Sequence, residues 1–219
     1  MANYLIHAVP SRMWYVNDYL IPSMLGQGII KENITVFVDD KKLGNLRACM
    51  KAFSQVSEDG GTWHLQDDVI ISHDFREKTE QYDDGIVCGF ASKYDNPNIT
   101  GKVNVREMWF SFPCIRIPNN IAKGCATWCE MYMLNNPVYS EYTKNGTNDD
   151  WIFRRYVWDQ HKTEIPLNLV PNIVDHIDWL IGGQVRAGIT RSEPVRSKHW
   201  TDEYLVEELK EKLKFPIYK

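Results

Sequence analysis

The sequence predicts an α/β protein in which a mostly parallel central sheet is flanked by helices. Apolar or β-branched runs at residues 4–9, 34–38 and 86–90 are typical of buried strands. Segments with the spacing of amphipathic helices lie between them, and this alternation is typical of parallel sheets that are covered on both faces. Ligands of such sheets bind beyond the carboxyl ends of the strands, so residues that directly follow a strand are the first candidates for a functional site.

The remaining elements follow in order along the chain. In the first half, strands are predicted at 4–9, 34–38, 63–65 and 86–90, and helices at 11–24 and 43–53. Pro10 stops the first strand, Pro22 bends or ends the first helix, and a short polar segment precedes the strand at 86–90. In the second half, we predict a strand within 108–117 and helices at 122–134, 151–158 and 202–214.

The bulk composition is that of an ordinary globular protein. The chain has 219 residues, of which 43% are hydrophobic and 25% charged, which is enough for one domain with a full core. Its net charge of −4 gives no global attraction to nucleic acid. The first residues lack a signal-peptide pattern and no apolar run reaches membrane-spanning length, so we expect a cytoplasmic protein. The five scattered cysteines form no zinc pattern and indicate buried free thiols.

Acid pairs follow two consecutive predicted strands. Asp39 and Asp40 come after the strand at 34–38, and Asp67 and Asp68 come after the strand at 63–65. Adjacent carboxylates repel each other, and each requires solvent, a cation or a proton. A divalent ion with oxygen ligands would remove the conflict, and substrate phosphates could complete its shell. The alternative is a pair of solvated turns.

A local cluster of positive charge lies near the end of the chain. Between Gly183 and Trp200 a single acid, Glu193, is outnumbered by basic residues, which are Arg186, Arg191, Arg196, Lys198 and His199. Such a segment either forms a solvated tail or binds phosphates.

The order of these predicted strands and helices and of the acid pairs that follow the strands resembles that of a GT-A-fold glycosyltransferase, over roughly residues 4–180. The resemblance implies a single GT-A-like (Rossmann-like) domain. It also identifies the segment Gln66-Asp67-Asp68-Val69 as the DXD-like motif that holds Mn²⁺ or Mg²⁺ against the donor diphosphate. Because these acids are adjacent rather than spaced, the motif leaves open whether both bind metal. Asp68 is the favoured direct ligand, and Asp67 is assigned to the donor site.

The same resemblance assigns further donor contacts. The loop after the first strand contacts the nucleotide in this family, which points to Pro10 and Arg12, and the acid after the second strand binds base or ribose, which points to Asp39. Arg186 and Arg191 would add phosphate contacts. The alternatives are a surface charge for Arg12 and a turn residue for Asp39.

Two later motifs complete the implied site. The segment from Gly146 to Trp151 resembles the acidic motif that faces the acceptor, and in inverting members one carboxylate acts as general base, here Asp149 or Asp150. Helix capping is the alternative for these acids. His176 matches the late histidine that completes the metal site in several of these families, with a core or hydrogen-bonded histidine as the alternative and His199 as the second candidate.

The implied activity is transfer of a sugar from a nucleotide-sugar, with a UDP-sugar favoured, to an acceptor hydroxyl. The short Pro-Ser-Arg opening and the small size are similar to glycosyltransferases encoded by bacteriophages, which makes a hydroxymethylated base in phage DNA one possible acceptor. A surface glycan or a small polyol is equally open. The rival interpretations are a nucleotidyltransferase, a nucleotide-sugar-binding domain without turnover, and an interaction domain with acidic loops.

The resemblance also implies how the chain is organised. Residues 1–200 would form the catalytic domain, with a donor half at about 1–105 and an acceptor half at about 106–200. Residues 201–219 would form a C-terminal helix that packs on the same domain. Neither the sequence nor the resemblance gives an oligomeric state.

Overall fold

Three parallel strands form one side of the central sheet and end at the same edge. In the computed structural model, which describes residues 2–91, 100–102, 112–133, 149–181, 196–197 and 199–213, these strands are β1 (Asn3–Ala8), β2 (Ile34–Val38) and β3 (Gly61–Gln66). β1 lies in the middle and pairs in parallel with both neighbours. Asp39 and Asp67 therefore leave the sheet at neighbouring positions, as predicted.

The rest of the sheet adds strands of both directions. They are β5 (Val87–Cys88), β6 (Gly101–Lys102), β7 (Cys114–Pro118) and β8 (Leu167–Asn168), and the order across the sheet is β2-β1-β3-β7-β5-β8-β6. β5 and β8 are parallel to each other, whereas β7 is antiparallel to both β3 and β5, and β6 is antiparallel to β8. The mostly parallel α/β sheet is confirmed, and the two antiparallel strands are an addition to it.

A second, two-stranded sheet lies directly beyond β3. It consists of β4 (Val69–Ile71) and β9 (Val174–His176), which pair antiparallel with Val69 opposite His176. Only two residues, Asp67 and Asp68, separate β3 from β4. The small sheet therefore brings a late segment of the chain against the acid pair.

The first helical segment runs through Pro22 instead of ending there. A 3-10 turn (Pro10–Arg12) leads into α1 (Met13–Tyr15), a π-helical turn (Val16–Leu20) and α2 (Ile21–Gly26). In the π turn the Ile21 N–H donates to the carbonyl of Val16, five residues earlier. Proline removes one helical N–H and crowds the carbonyl four residues before it, so a wider turn just ahead of Pro22 accommodates the ring.

The other helices mostly match the sequence analysis. They are α3 (Asn45–Phe53), α4 (Phe75–Gln81), α5 (Asn119–Trp128) with a following π turn (Cys129–Met133), α6 (Asp149–Gln160), α7 (Asp178–Ile181) and α8 (Glu203–Lys212). A 3-10 turn (Lys31–Asn33) precedes β2. The expectation of only a polar segment before β5 was wrong, because that region contains β4 and α4. In α4 only Phe75 and Thr79 are buried, which is too few for a recognisable period.

Helices cover both faces of the sheet, and alternate strand residues point to opposite faces. Leu5 of β1 and Ile115 of β7 pack against α3, α5 and α6, whereas Tyr4 and Ile6 pack on the other side with residues of the first helical segment and α4. All five cysteines are buried and free, and burial raises the pKa of Cys49 and Cys125. No helix in the described part of the chain is both long and apolar enough to cross a bilayer.

The segment after residue 195 is tied to the remainder by ion pairs. Arg196 contacts the carboxylates of Asp175 and Glu203, and the Asp202 carboxylate accepts the backbone N–H of His73 at 2.8 Å. Leu209 of α8 is buried in the same cluster as Ile181 of α7. These contacts place α8 against the α/β core, and the proposed division into donor and acceptor halves stays a prediction.

Two histidines, a buried one (His64) and a half-buried one (His7), contact each other inside the sheet. His7 Nε2 lies 2.9 Å from His64 Nδ1 across the β1–β3 pair, and both rings pack on Phe53. Burial lowers the pKa of His7 to about 4 and lowers that of His64 well below its ordinary value. The pair is therefore neutral in the folded protein at neutral pH.

We expect the free energy of unfolding to fall as the pH drops from about 6.5 to 5, because the unfolded chain then takes up protons that the folded pair resists. The slope is at most about 1.4 kcal/mol per pH unit for each histidine. His64→Phe removes one titrating ring and should make the fall shallower in urea unfolding measured across this range.

His73→Gln is the matched control for this measurement. Its hydrogen bond to Asp202 raises the pKa of His73, so this residue adds stability as the pH falls, and its loss should not flatten the curve. A slope that is the same in His64→Phe as in the unaltered chain would contradict the neutral buried pair.

Candidate functional site

The acid pair after β3 is buried rather than solvated. Asp67 is 1% exposed and Asp68 is 6% exposed. The backbone fixes both residues, because the Asp67 N–H donates to the His7 carbonyl at 3.0 Å and the Asp68 carbonyl accepts the Ile177 N–H at 2.8 Å. The solvated-turn interpretation of this pair is therefore wrong, and its charge must be compensated inside the protein.

Arg12 provides the first compensation. Its Nη2 lies 2.9 Å from Asp67 Oδ1 and its Nη1 contacts Asp68 Oδ2, so that one guanidinium bridges both carboxylates. The 3-10 turn directly after β1 brings Arg12 to this edge of the sheet, and the Val9 N–H donates to Asp67 Oδ2 at 2.7 Å. The Arg12 side chain is 12% exposed and is therefore not a surface charge.

The two carboxyls respond differently to this environment. Burial raises the pKa of Asp67 to about 7, against the opposing effects of Arg12 and the Val9 N–H. Burial also disfavours ionisation of Asp68, but His176 and Arg12 outweigh it and lower the pKa of Asp68 below its ordinary value. Asp68 is thus the carboxylate that stays ionised.

His176 faces Asp68 from β9. Its Nε2 lies 3.3 Å from Asp68 Oδ1, and its Nδ1 lies 3.5 Å from Asp178 Oδ1. The antiparallel pairing of Val69 with His176 produces this approach. The buried ring therefore lies between two carboxylates and against Phe90, an arrangement that fits both a metal ligand and a buried histidine that is hydrogen-bonded to acids.

The ring nitrogens of His176 both face hydrogen-bond acceptors. A neutral imidazole has one N–H and one lone pair, so a ring that gives its proton to Asp178 turns a lone pair towards Asp68 Oδ1. A neutral ring can therefore donate to only one of the two carboxylates, whereas an imidazolium donates to both and a cation beside Nε2 would satisfy Asp68 directly. Asp68 Oδ1 is buried and receives no hydrogen bond from the described residues, which fits a cation at this position.

The spacing of these atoms also fits a divalent cation. Adjacent ligands of an octahedral ion with bonds of about 2.1 Å are about 3.0 Å apart, close to the observed separation of 3.3 Å between Asp68 Oδ1 and His176 Nε2. A carboxylate at the second ring nitrogen, here Asp178, is the usual companion of a metal-binding histidine. Within the described ranges no group of three or more metal-ligating side chains occurs, so substrate oxygens or water would have to complete the shell.

Asp39 and Asp149 reach the same edge of the sheet through α3. The Asp39 carboxylate accepts hydrogen bonds from the N–H groups of Leu43 at 2.9 Å and Gly44 at 3.3 Å and so fixes the loop before α3. Asp39 therefore has the role of a turn residue, which was the alternative to nucleotide binding. Asn45, the first residue of α3, donates to Asp149 Oδ1 at 3.0 Å. Since α3 begins beyond the carboxyl end of β2, this contact brings the start of α6 to the same edge.

Asp150 differs from Asp149 in exposure. Asp149 is 6% exposed, whereas Asp150 is half-buried and accepts the N–H of Trp151 at 2.7 Å. Both acids lie in the first turn of α6, as the capping interpretation requires. Thr147 and Asn148, whose side chains could cap this helix, lie outside the described residues.

The basic cluster near the C-terminus is only partly described. Arg186 and Arg191, assigned to the donor phosphates, lie outside the described residues. Arg196 contacts Asp175 at 2.5 Å and Glu203 at 3.0 Å, so these acids already neutralise it. Of the two alternatives left open for the cluster, a solvated tail and a phosphate-binding segment, neither describes Arg196, which is paired with acids of the same chain. His199, the second metal candidate, accepts the Asn172 N–H with its backbone carbonyl.

Sequence reasoning missed three contributors to the site. Asp178 was not singled out, although its place two residues after His176 is the signal that could have identified it. The Val9 N–H, a backbone donor, carries no sequence signal. The hydroxyl of Tyr15 donates to the Val69 carbonyl at 2.8 Å and fixes the first helical segment to the residue after the acid pair.

Comparisons with known proteins give no family for this chain. No family model and no curated protein matches it. Among solved structures, HddC from Yersinia pseudotuberculosis is 12% identical to this chain. The match covers 57% of this chain and 80% of HddC, with a TM-score of 0.33.

A197 from STIV is 13% identical to this chain, and the match covers 80% of this chain and 85% of A197 with a TM-score of 0.42. A putative glucose-1-phosphate thymidylyltransferase from Bacillus anthracis, in complex with a sucrose, is 12% identical, and the match covers 88% of this chain and 98% of that protein with a TM-score of 0.46. Likeness at this level carries no argument about activity, and the α/β architecture stands on the sheet topology itself.

We expect Arg12→Gln to lower the free energy of unfolding by about 3 kcal/mol, because two buried carboxylates lose their shared cation. Urea unfolding without added metal measures the loss. Adding Asp68→Asn to this variant should restore part of the stability, since it removes one uncompensated charge. Arg76→Gln, which breaks an exposed pair with Glu80, should cost about 0.5 kcal/mol or less. Equal losses in the two arginine variants would contradict the bridging role of Arg12.

Proposed function

We propose that the protein is a metal-dependent glycosyltransferase that uses a nucleotide-sugar donor, with a UDP-sugar favoured, on a GT-A-like fold. The observation that carries this proposal is the buried acid pair at the end of β3, in which Asp68 Oδ1 faces His176 Nε2 while Arg12 bridges both acids. A carboxylate, an imidazole and a guanidinium at the carboxyl edge of an α/β sheet form a plausible binding site for a diphosphate with its cation.

Asp68 and His176 would hold Mn²⁺ or Mg²⁺. The chemistry supplied by the bound ion is neutralisation of the charge that develops on the leaving diphosphate. Asp178 keeps the His176 ring oriented through Nδ1, so that Nε2 remains directed at Asp68. Asp67 holds the loop after β1 through the Val9 N–H and through Arg12.

The loop after β1 would bind the donor phosphates. It contains Pro10 and Arg12, and it lies beside the acid pair, where the guanidinium can offer hydrogen bonds to phosphate oxygens. Asp39 fixes the neighbouring loop and lies where the resemblance puts the base or ribose. Arg186 and Arg191 are retained as further phosphate contacts.

The acceptor hydroxyl needs a base, and we assign this role to Asp150. Asp150 is more accessible than Asp149, whose carboxylate is buried and accepts a hydrogen bond from Asn45. Asp149 would then fix the start of α6. The acceptor itself stays a proposal, and a hydroxymethylated base in phage DNA is tested beside glycans and polyols.

A thermal-shift panel tests the donor site. Only a ligand that binds the folded protein preferentially raises the Tm. We expect one class among UDP-, GDP-, CMP- and TDP-sugars to raise the Tm in the presence of Mn²⁺, with a much smaller rise without it and none in Asp68→Asn. Arg76→Gln is the control and should respond like the unaltered chain. No shift with any donor would overturn the proposal.

The products of the reaction separate glycosyl transfer from nucleotidyl transfer. Release of the nucleotide from the nucleotide-sugar that gave the shift, as a nucleoside diphosphate or as CMP from a CMP-sugar, together with the glycosylated acceptor, supports the glycosyltransferase. Formation of a nucleotide-sugar and pyrophosphate from a nucleoside triphosphate and a sugar 1-phosphate would support the nucleotidyltransferase. Donor binding with neither product under any acceptor would indicate the binding domain without turnover.

With an active donor and acceptor pair, Asp150→Asn should lower kcat by about 100-fold or more while the KM for the donor stays unchanged. Asp159→Asn, which removes a surface partner of Arg155 on the same helix, should leave kcat unchanged. If Asp149→Asn alone produces the loss, the base is Asp149. Unchanged kcat in both variants would show that neither acid is the base.

A further inference from the structure

Arg12 already neutralises the acids that a metal ion would need. Its guanidinium uses Nη2 for Asp67 and Nη1 for Asp68, and both carboxylates are almost fully buried. Asp68 is the carboxylate that stays ionised, and Arg12 contacts its Oδ2, whereas its Oδ1 faces His176. The free protein therefore contains its own counter-ion at the proposed metal site.

A metal ion and Arg12 would oppose each other at Asp68. An ion held by Oδ1 would lie within about 5 Å of the guanidinium on Oδ2 of the same carboxylate, a distance at which like charges in a buried site repel strongly. The hydrogen bond from Arg12 also withdraws charge from the carboxylate and weakens it as a ligand. Solvent cannot screen this repulsion well, because both side chains are nearly inaccessible.

The hydrogen bonding of Arg12 is incomplete in this arrangement. Its Nε is buried and has no hydrogen-bond partner among the described residues. A buried N–H without an acceptor is costly, and a guanidinium has five N–H donors. The backbone of the loop is held separately by the bond from the Val9 N–H to Asp67, so that the side chain can move while the loop stays in place. A diphosphate beside the loop would offer Arg12 more acceptors than the acid pair does.

We propose that Arg12 is an internal competitor of the divalent cation, and that the donor diphosphate strengthens metal binding by drawing Arg12 away from Asp67 and Asp68. This inference rests on the proposed function. It makes the donor and the cation mutually dependent, because a ligand that increases metal affinity must have its own affinity increased by the same factor. The free protein then has low affinity for divalent cations, and the site assembles only around its substrate.

The test measures the Kd of Mn²⁺ itself by calorimetry and by the electron paramagnetic resonance of free Mn²⁺. We expect Arg12→Gln to bind Mn²⁺ about 10-fold more tightly than the unaltered chain in the absence of donor. Arg76→Gln controls for the loss of one positive charge elsewhere and should stay within about 2-fold of the unaltered chain, since its exposed charge is screened. UDP should tighten Mn²⁺ binding by a larger factor in the unaltered chain than in Arg12→Gln.

Arg12→Lys keeps the test decisive if Arg12→Gln does not fold. Lysine retains the charge but cannot form the planar fork to two carboxylates, so Mn²⁺ affinity should lie between those of the unaltered chain and of Arg12→Gln. Where only the lysine variant folds, tighter Mn²⁺ binding supports the inference, and equal or weaker binding overturns it.

The outcomes separate this inference from the proposed function. If Mn²⁺ binds through Asp68, is lost in Asp68→Asn, and binds no tighter in Arg12→Gln than in Arg76→Gln, the competition is wrong while the metal site stands. If Mn²⁺ binds none of the variants, with or without UDP, the metal-dependent function itself fails and the competition fails with it.

Discussion

The structure depends on the compensation of two carboxylates that are buried side by side at the end of β3. An uncompensated pair of this kind would be too costly to fold, and three separate parts of the chain converge on it. The turn after β1 supplies Arg12 and the Val9 N–H, the small β4–β9 sheet supplies His176, and α7 supplies Asp178. The sheet edge, the first helical turn and the late strand are therefore positioned by one electrostatic requirement.

The compensation is uneven, and this unevenness gives the site its chemical character. Asp67 contacts a guanidinium and accepts a backbone N–H, whereas Asp68 Oδ1 faces the His176 ring and receives no hydrogen bond from the described residues. A fully neutralised pair would be a structural ion cluster. Here one buried carboxylate oxygen, Asp68 Oδ1, receives no hydrogen bond within the described part of the chain, which sets the pair apart from such a cluster.

Sequence reasoning succeeded where a single local period decided the outcome. The β-branched run of β2 predicts a strand and the apolar spacing of α3 predicts a helix without any knowledge of tertiary contacts. The position of the acids at the strand ends can be read directly from the sequence once the strands are predicted. Sequence reasoning missed α4, because this helix buries only two side chains. It also gave no indication that β7 runs antiparallel to β3, because the hydrophobic pattern of a strand does not encode its direction. The burial of Asp67 and Asp68 and the bridge from Arg12 depend on tertiary contacts, so the sequence could single out these residues as candidates but could not predict their mutual pairing.

The β4–β9 pairing has a consequence for the unity of the chain. It joins Asp68, which belongs to the sequence-defined donor half, to His176, which belongs to the acceptor half. Neither half alone contains both members of this contact, so the two halves are not separable modules in the sense of units that could be exchanged between genes. Recombination between them would separate the histidine from its carboxylate, and the two segments must therefore be inherited as one unit.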